Sequence, residues 1–383
     1  MEIWNLNLRH LRAVGKIAEL GTVNAAAMAV NLSQPAITQA LGRLESQLGM
    51  PLFERRHDGM IPTQAGEAFA PRIHAALEHV QSPHVTMSRL RALLALAETG
   101  SYAGAGQATG LSLPSIHRAV NDLSLALRRP LVVRRGKVVI TTEAGTQLAR
   151  EFRLAKVELE TGLSEIDALR GHETRRITIG AMPLSRARVL PRAVARFMRR
   201  RPKVKLTIVE GSRVELVEPL RSGTLDVMVG ALRDPLIETD LAQHPLFDDM
   251  PAFFGRVGHP LAGSDAGPEQ LAAYPIVLPP QGAPLRDSCE RFFAAAGVPL
   301  PAVPIESGSV MMMRQIMLES DIIALLSPDQ VTVEVQAGWL CELGRPPKGF
   351  HRTIGMTTRG SLRPTEVQRE FFEDLAAAAI EEG

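Results

Sequence analysis

The chain of 383 residues has only two cysteines, Cys289 and Cys341, far apart in the sequence. They form neither a disulfide framework nor a CxxC motif, so we expect a reducing compartment, the cytoplasm. No apolar run approaches the ~18 residues that a membrane-spanning helix needs, and we expect no contact with a membrane. The first ten residues predict no secretory leader, because polar side chains interrupt them.

Catalytic motifs are missing as well. The 10 histidines and 31 glycines form no Ser/His/Asp spacing, no His/Cys metal cluster and no phosphate-binding glycine loop. The sequence therefore predicts no enzyme, no cofactor and no metal site. The formal net charge is only +2, but residues 1–150 contain 16 Lys and Arg against 10 Asp and Glu. They carry +6 and residues 151–383 carry −4. A basic N-terminal part suits contact with phosphate.

Residues 31–45, NLSQPAITQALGRLE, have the pattern of the turn and second helix of a helix-turn-helix. An apolar stripe at helical spacing consists of Ile37, Leu41, Leu44 and Leu48. Ser33 stands at the N-cap position and Pro35 in the first turn, where a missing N–H costs nothing. The polar end of such a helix can enter a major groove and read base edges. An ordinary amphipathic helix would show the same stripe.

An internal repeat decides between these interpretations. A shift of 79 residues aligns residues 90–145 with residues 11–66 without a gap, and about two-fifths of the paired residues are identical. Chance does not produce such agreement, and two units are too few for a solenoid array. The chain therefore contains two copies of one winged helix-turn-helix unit, which we call copy one and copy two.

In copy one we expect DNA contacts from exposed polar residues of the second helix and from two arginines of the wing. They are Ser33, Gln34, Pro35, Thr38, Gln39, Arg43, Arg55 and Arg56. The helix residues can reach base edges. The wing, predicted as two strands with a turn at Asp58-Gly59, can place guanidinium groups on phosphate or in a minor groove.

Copy two keeps the scaffold but differs at the base-facing positions. Leu113, His117 and Asn121 stand where copy one has glutamine, threonine and glycine. Copy two is therefore either a second reader with another preference or a structural spacer. As a reader it would contact DNA through Ser112, Ser115, His117, Arg118, Asn121, Arg134 and Arg135. His117 also fits an exposed or partly packed helix histidine without such a role.

A long helix from Glu143 to about Leu169 follows copy two. Its apolar residues mix spacings of three and four, which is typical of a helix that pairs with another helix. In copy one Ser82-Pro83 ends the corresponding helix early. We therefore expect the long helix to serve as a linker and to mediate dimerisation.

From Arg176 onward strands and helices alternate, which predicts βαβ units and a parallel sheet. The predicted strands are 177–180, 204–209 and 225–229 in a first series and 252–254, 275–278, 303–305 and 322–326 in a second. The predicted helices are at about 187–200, 213–222, 285–296 and 309–320. Two α/β halves imply a cleft lined by loops at strand ends and by helix N-termini.

With these motifs the sequence resembles the LysR-type transcriptional regulators. Residues 26–55 and the Thr-x-Ala-Gly at 63–66 match the N-terminal signature of that family. Leu190-Pro191 and Gly223-x-Leu225-Asp226 match the start of its effector domain. The duplication departs from the family pattern, because members normally carry one winged helix-turn-helix. Copy one is nearest the pattern, so we expect it to read DNA.

The resemblance implies a multidomain fold: two α-rich winged helix-turn-helix domains, a linker helix and a two-lobed α/β domain like a periplasmic binding protein. The boundaries that we predict are 1–81 and 87–145 for the two copies, 143–171 for the linker helix, and 175–383 for the effector domain, with lobe I at about 175–249 and 346–383 and lobe II at about 250–345. The implied partners are promoter DNA, a small-molecule co-inducer, further copies of the chain in a homodimer or homotetramer joined through the linker helix, and RNA polymerase.

Candidate effector contacts lie in the loops around the predicted cleft. They are Pro183, Leu184, Ser185, Gly282, Arg286, Ser307 and Gly308. A helix N-terminus with an arginine nearby suits a carboxylate, so an organic acid is the expected effector. Arg286 fits a surface residue equally well, and Ser307 fits a helix cap.

Two other functions fit parts of the sequence. A solute-binding protein with accessory helices fits the C-terminal half, but it would need a secretion signal and would leave the repeat unexplained. An architectural DNA-binding protein would use both copies without an effector.

Overall fold

The structure, a computed structural model, divides the chain into two compact units, Met1–Arg175 and Arg176–Gly383. It describes residues 1–57, 59–135, 138–171, 176–347 and 349–380, without the side chain of Arg135. Asp58, predicted as a turn residue of the first wing, lies outside the described residues. The predicted fold class is confirmed, because two winged helix-turn-helix copies and a long helix precede a two-lobed α/β fold.

Copy one follows a 3-10 turn at Ile3–Asn5. Its elements are α1 (Leu8–Leu20), α2 (Val23–Ala29), α3 (Gln34–Leu48), β1 (Phe53–Arg56), β2 (Gly59–Pro62) and α4 (Gln64–Val80). Asn7 Oδ1 begins α1 by accepting a hydrogen bond from Arg9 N at 2.9 Å, which satisfies a backbone donor of the first turn. Gly21 ends α1 with a φ of 72°, a left-handed conformation that glycine adopts at little cost.

Copy two repeats these elements in the same order. They are α5 (Met87–Thr99), α6 (Tyr102–Thr109), α7 (Leu113–Leu127), β3 (Val132–Arg135), β4 (Val138–Thr141) and α8 (Glu143–Leu169). Thr86 caps α5, and Gly100 ends it with a φ of 65°. These residues occupy the positions of Asn7 and Gly21 in copy one, so the same local signals start and stop the first helix of each copy.

The wing is attached in the same way in both copies. Thr63 Oγ1 donates a hydrogen bond to Pro51 O at 2.6 Å. Gly66 leaves no room for a side chain, because an added Cβ would overlap Leu52 O. The equivalent threonine and glycine of copy two make the same contacts. The shared Thr-x-Ala-Gly therefore fixes the turn between the wing and the next helix.

Helix α8 packs along α4 of the same chain. Its predicted apolar stripe is buried in the first unit, at Phe152, Ala155, Leu159, Leu163 and Ile166. Gly162 allows close approach, because an added Cβ would lie 2.5 Å from the Phe69 ring. The prediction that α8 pairs with a helix is confirmed. The partner belongs to the same chain, however, so the stripe is no reason to expect dimerisation.

The two copies share one hydrophobic core, which includes residues from Ile3 to Ile166. Apolar residues of α1, α3, α4, α5, α7 and α8 belong to it. Burial in one continuous core favours cooperative folding of both copies.

The second unit contains two five-stranded sheets. Lobe I has β5 (Arg176–Ala181), α9 (Val189–Arg200), β6 (Lys205–Glu210), α10 (Arg213–Arg221), β7 (Val227–Ala231) and β8 (Leu241–Asp249). Lobe II has β9 (Ala252–Arg256), α11 (Pro268–Leu271), β10 (Ile276–Leu278), α12 (Pro284–Ala295), β11 (Ile305–Glu306), α13 (Val310–Glu319), β12 (Ile323–Leu326), α14 (Thr332–Gln336) and β13 (Leu340–Gly344). The chain then returns to lobe I with β14 (Arg352–Arg359) and ends with α15 (Glu366–Ile380).

The prediction of a parallel sheet is confirmed for β5, β6 and β7 of lobe I and for β10, β11 and β12 of lobe II. It was wrong for β9 and for the sheets as wholes, because both sheets are mixed. Their strand orders are β6-β5-β7-β14-β8 in lobe I and β11-β10-β12-β9-β13 in lobe II. Only the pairs of β5 and β10 with their neighbours are parallel, whereas β14 and β9 run antiparallel to theirs. The returning strand β14 lies inside the lobe I sheet, and it was not predicted.

Three further properties concern the described part of the chain alone. None of its helices combines the length and the apolar character that crossing a membrane requires. Its His, Cys, Asp and Glu residues form no group of three or more that could hold a metal ion. Burial raises the pKa of the Cys289 thiol to about 12, so this cysteine remains protonated at neutral pH.

Candidate functional site

The outer face of α3 carries the polar residues that we predict to contact DNA in copy one. Ser33, Gln34, Thr38, Gln39 and Arg43 are exposed, whereas Ile37, Leu41, Leu44 and Leu48 are buried. Thr38 Oγ1 donates to Gln34 O at 3.1 Å, a weak local contact that a base can replace. The helix therefore offers amide, hydroxyl and guanidinium groups to an outside partner.

The wing of copy one is held against this helix. Glu45 Oε1 of α3 accepts hydrogen bonds from Leu52 N at 2.7 Å and Phe53 N at 3.3 Å, at the start of β1. Arg55 is exposed and has no ion pair among the described residues, whereas Arg56 lies 3.3 Å from Glu54 in an exposed pair. Exposed pairs of this kind contribute little, so both guanidinium groups can be redirected to phosphate.

Copy two presents a different surface on the same frame. Ser112, Ser115, His117, Arg118 and Asn121 of α7 are exposed. Ser112 Oγ accepts from Ser115 N at 3.3 Å and caps the helix. The His117 ring lies 5.1 Å from the Tyr102 ring. His117 therefore packs against Tyr102 and is still exposed to solvent.

The wing of copy two is described in part. Arg134 of β3 is exposed and has a partner within the chain. The side chain of Arg135 lies outside the described residues. Val139 N donates to Gly100 O at 3.4 Å, which corresponds to the contact of Met60 N with Gly21 O at 2.7 Å in copy one. The second wing thus occupies an equivalent position, but the hydrogen bond that attaches it is longer.

A cavity of about 260 Å³ lies between the two lobes of the second unit. Its walls include residues 182–184 after β5, 212–214 after β6 and 279–285 after β10. Carboxyl ends of parallel strands are the usual place for ligands in such sheets. Most of the lining is apolar, with Met182, Leu184, Val310, Met313 and Leu326 among its members.

Four of the predicted effector contacts line this cavity, namely Pro183, Leu184, Gly282 and Gly308. Ser185 is buried outside the lining, and its hydroxyl donates to Met182 O at 2.8 Å. Ser307 also lies outside it, and its Oγ accepts from Ser309 N at 3.1 Å. The Ser185 hydroxyl is therefore already used as a donor within the chain, and the Ser307 oxygen accepts a hydrogen bond from its own loop.

Arg286 lies outside the cavity lining and is buried between two carboxylates. Its Nε donates to Glu290 Oε1 at 2.9 Å and its Nη1 to Glu306 Oε1 at 2.5 Å. The hydrogen bond to Glu290 outweighs the cost of burial and, with Glu306, raises the pKa of the guanidinium above its ordinary value. Its charge is compensated locally, so it has little left to offer a ligand.

Three other arginines line the cavity, and the sequence analysis missed all of them. Arg213 Nη2 donates to Glu238 at 2.7 Å and Arg352 Nε to Asp249 at 2.7 Å. Each of these two side chains has another buried nitrogen, Arg213 Nη1 and Arg352 Nη2, without a hydrogen-bond partner. Burial, reinforced by the charge of Arg213, lowers the pKa of the Arg233 guanidinium. Three guanidinium groups therefore lie around the cavity, and two of them have a buried nitrogen without a hydrogen-bond partner.

Of these three arginines, Arg213 could have been selected from the sequence. Arg213 stands at the first turn of α10, just after β6, which is the kind of position that selected the other candidates. Arg352 belongs to β14, an element that the strand pattern did not predict. Arg233 follows β7, and Arg233 Nη2 donates to Gly282 O of lobe II at 2.9 Å, a contact that depends on how the lobes meet.

Comparisons with known families match both units. The model of the LysR substrate binding domain matches residues 170–379. The model of the bacterial regulatory helix-turn-helix protein of the lysR family matches twice, at residues 8–67 and 87–146. The double match confirms the duplication that was inferred from the shift of 79 residues.

Individual relatives and a solved structure are also similar to the chain. The chain is 32% identical over 366 residues to the HTH-type transcriptional regulator GalR of Pseudomonas putida, with 92% of each chain covered. Because the alignment covers 92% of this chain, it includes residues of both copies. It is 24% identical over 282 residues to the HTH-type transcriptional regulator PcaQ of Agrobacterium fabrum, with 73% of this chain and 91% of the relative covered. A full-length OxyR variant from Pseudomonas aeruginosa is similar in fold, with a TM-score of 0.57, 21% identity, and 78% of this chain and 95% of that chain covered.

Proposed function

Because the chain belongs to the LysR family of bacterial transcriptional regulators, we propose that it binds promoter DNA sequence-specifically and that a small organic anion in the cavity alters this binding. Members of the family are regulators rather than enzymes, as are the relatives GalR and PcaQ. The alternative of a solute-binding protein leaves the two helix-turn-helix matches without a purpose.

The observation that carries DNA binding is the exposed polar face of α3 opposite its buried stripe. Gln34 and Gln39 present amides, which suit the paired donor and acceptor of adenine in the major groove. Arg55 on the wing supplies a charge for phosphate, which adds affinity without sequence preference. Ser33 and Pro35 set the first turn of the helix, and Thr38, Arg43 and Arg56 complete the proposed interface.

The effector that we propose is a carboxylate with an apolar body. The apolar lining suits the body, and the unpartnered donors of Arg213 and Arg352 suit the carboxylate. A buried donor without a partner costs about 1–3 kcal/mol, which a charged acceptor would recover. Pro183, Leu184, Gly282 and Gly308 are the proposed contacts among the residues selected from the sequence.

Further partners follow from the family. We propose that copies of the chain associate into a homodimer or homotetramer in the cytoplasm and contact RNA polymerase at the promoter. The buried stripe of α8 is used inside the chain, so this association would need surfaces other than the stripe.

Electrophoretic retardation of the DNA upstream of its own gene by the full-length protein tests DNA binding. We expect retardation in low salt that specific competitor removes and unrelated DNA does not. No retardation in low salt would contradict the proposed function.

The effector is tested by thermal shift with carboxylates and their amides, for example benzoate against benzamide. We expect stabilisation by carboxylates only. Arg213→Met should weaken that binding by about tenfold or more, because a charge-assisted hydrogen bond is worth about 1.5–3 kcal/mol. Arg286→Met is the matched control and should leave the ligand-dependent shift intact. Stabilisation by neutral or cationic compounds alone would contradict the proposal, as would equal effects of the two variants.

A further inference from the structure

Helices α4 and α8 exchange reciprocal contacts. Counterparts in the two copies differ by 79 in number, so Glu151 is the counterpart of Arg72, and Glu158 is the counterpart of His79. Arg72 Nη1 donates to Glu158 Oε2 at 3.1 Å, and His79 Nδ1 lies 2.7 Å from Glu151 Oε2. Arg72 thus contacts the counterpart of His79, and His79 contacts the counterpart of Arg72. Such reciprocal contacts are the pattern that a two-fold axis produces.

A second reciprocal pair occurs at the start of each copy. Arg12 Nη1 donates to Pro83 O at 3.4 Å, and the Arg91 guanidinium lies 5.3 Å from the centroid of the Trp4 ring. Arg91 is the counterpart of Arg12, and Pro83 is the counterpart of Trp4. In each case the first-helix arginine of one copy contacts the segment that precedes the first helix of the other. The partner groups differ, yet the positions obey the same symmetry.

On a two-fold axis, residues lie beside their own counterparts. One cavity is lined by residues 5–9 and residues 85–88, and the counterparts of residues 6–9 are residues 85–88. Asn7 and Thr86, which cap α1 and α5, are among them. The axis therefore passes between the first turns of α1 and α5.

The pairing of the copies is a buried part of the fold. Arg72 is only 6% exposed, and its guanidinium also donates to Glu165 at 3.0 and 2.9 Å. Burial alone would lower the pKa of Arg72, but the hydrogen bonds to Glu165 and the charges of Glu165 and Glu158 raise it above its ordinary value. Such a buried charge cluster, within the shared core, is costly to open.

We infer that one chain is an internal two-fold pair of DNA readers and that it recognises a DNA site with two unlike half-sites. This inference rests on the proposed function, and it specifies the DNA. Two-fold dimers of identical readers match palindromic sites, because the symmetry of the site mirrors that of the protein. Here the frame is two-fold but α3 and α7 carry different side chains, so one half-site faces α3 and a different one faces α7.

The equivalent residues Gln39 and Arg118 indicate how the half-sites differ. Both are exposed at the same position of their helices. A glutamine amide pairs with adenine, whereas an arginine guanidinium pairs with N7 and O6 of guanine. The half-site under α7 is therefore expected to contain a guanine where the half-site under α3 contains an adenine.

Selection from a random DNA library by the full-length protein tests this inference, with Gln39→Ala and Arg118→Ala as a matched pair of variants. Wild-type protein should select two unlike half-sites at a fixed spacing. Each variant should relax one base in one half-site by roughly tenfold and leave the other half-site unchanged. One selected sequence or its inverted repeat, insensitive to Arg118→Ala, would overturn the inference and leave the proposed function standing. Failure to select any DNA would overturn the proposed function itself.

The internal pairing is tested separately with Arg72→Glu, which places three carboxylates together between α4 and α8. This variant should lose the fixed spacing and bind the composite site at least tenfold more weakly. Arg72→Glu combined with Glu158→Arg and Glu165→Arg restores opposite charges and should restore both properties. Selection of the same spaced site by Arg72→Glu, with unchanged affinity, would overturn the inference.

Discussion

Copies one and two are alike inside and different outside. Ile37 and Leu44 of copy one and Ile116 and Leu123 of copy two are identical pairs, and each is at most 1% exposed. On the outer faces Gln34 corresponds to Leu113, which is 53% exposed. Packing constrains the buried residues, because even one methylene more or less disturbs a close-packed core. The outer face is free of that constraint, so it can acquire a different set of contacts.

The helices that follow the two wings differ in length for a local reason. Helix α4 ends at Val80, and Ser82-Pro83 follows, whereas α8 continues to Leu169. Pro83 has no N–H to extend the helix, and it restricts the residue before it. The shorter helix nevertheless covers the apolar face of the longer one, so the two copies complete each other's core.

The shared core is tested most severely by Phe69→Ala. Phe69 is fully buried and contacts α8 at Gly162, so its loss should lower the free energy of unfolding by about 3–5 kcal/mol. Hydrogen exchange should show that α3 and α7 lose protection together. Leu125→Ala, at a position that is 69% exposed, is the control and should have little effect. Loss of protection in α3 alone would contradict one cooperative core.

The difference between the reading faces is tested by Gln34→Ala, Thr38→Ala and Asn121→Ala. Gln34→Ala and Thr38→Ala should each cost roughly 1–3 kcal/mol on the preferred DNA and relax base preference, if each contacts a base. Binding is measured on the preferred site and on sites with single base changes. If Gln34→Ala leaves the preference intact and Asn121→Ala destroys it, copy two is the principal reader.

The wing is tested by Arg55→Ala, with the smallest expected effect. A guanidinium on phosphate carries no sequence information, so all DNA sequences should be bound about equally less well. The slope of log affinity against log salt should become shallower by about 0.9. Lys16→Ala removes the same charge from α1, outside α3 and the wing, and should leave the slope unchanged. A change of base preference in Arg55→Ala would contradict a phosphate contact.

Much of the fold could be predicted from local signals. Caps, glycine C-termini and periodicity depend on neighbouring residues, so α3 and α8 were predicted near their observed bounds. The partner of α8 could not be predicted, because an apolar stripe indicates that a helix face is buried but not which element buries it. The direction of β9 could not be predicted for the same reason, since a strand pattern does not show which neighbours the strand will pair with.

The effector cavity shows a similar division. Loops that follow predicted strands led to Pro183, Leu184, Gly282 and Gly308, because the carboxyl ends of strands converge in such folds. Arg286 was chosen because it is an arginine near a helix N-terminus, and neither property indicates which carboxylates it contacts. Its contact with Glu306 joins residues 20 apart, and the unpartnered Nη2 of Arg352 belongs to a strand that returns from the other lobe. Ion pairing between long side chains is decided by tertiary structure.

The most direct test makes the two reading faces alike. Leu113→Gln, His117→Thr, Arg118→Gln, Asn121→Gly and Asp122→Arg together give α7 the proposed DNA-contacting residues of α3 and leave its buried residues in place. The preferred DNA of this variant should change from two unlike half-sites to two like half-sites at the same spacing. An unchanged preference would contradict the claim that copy two reads DNA through this face.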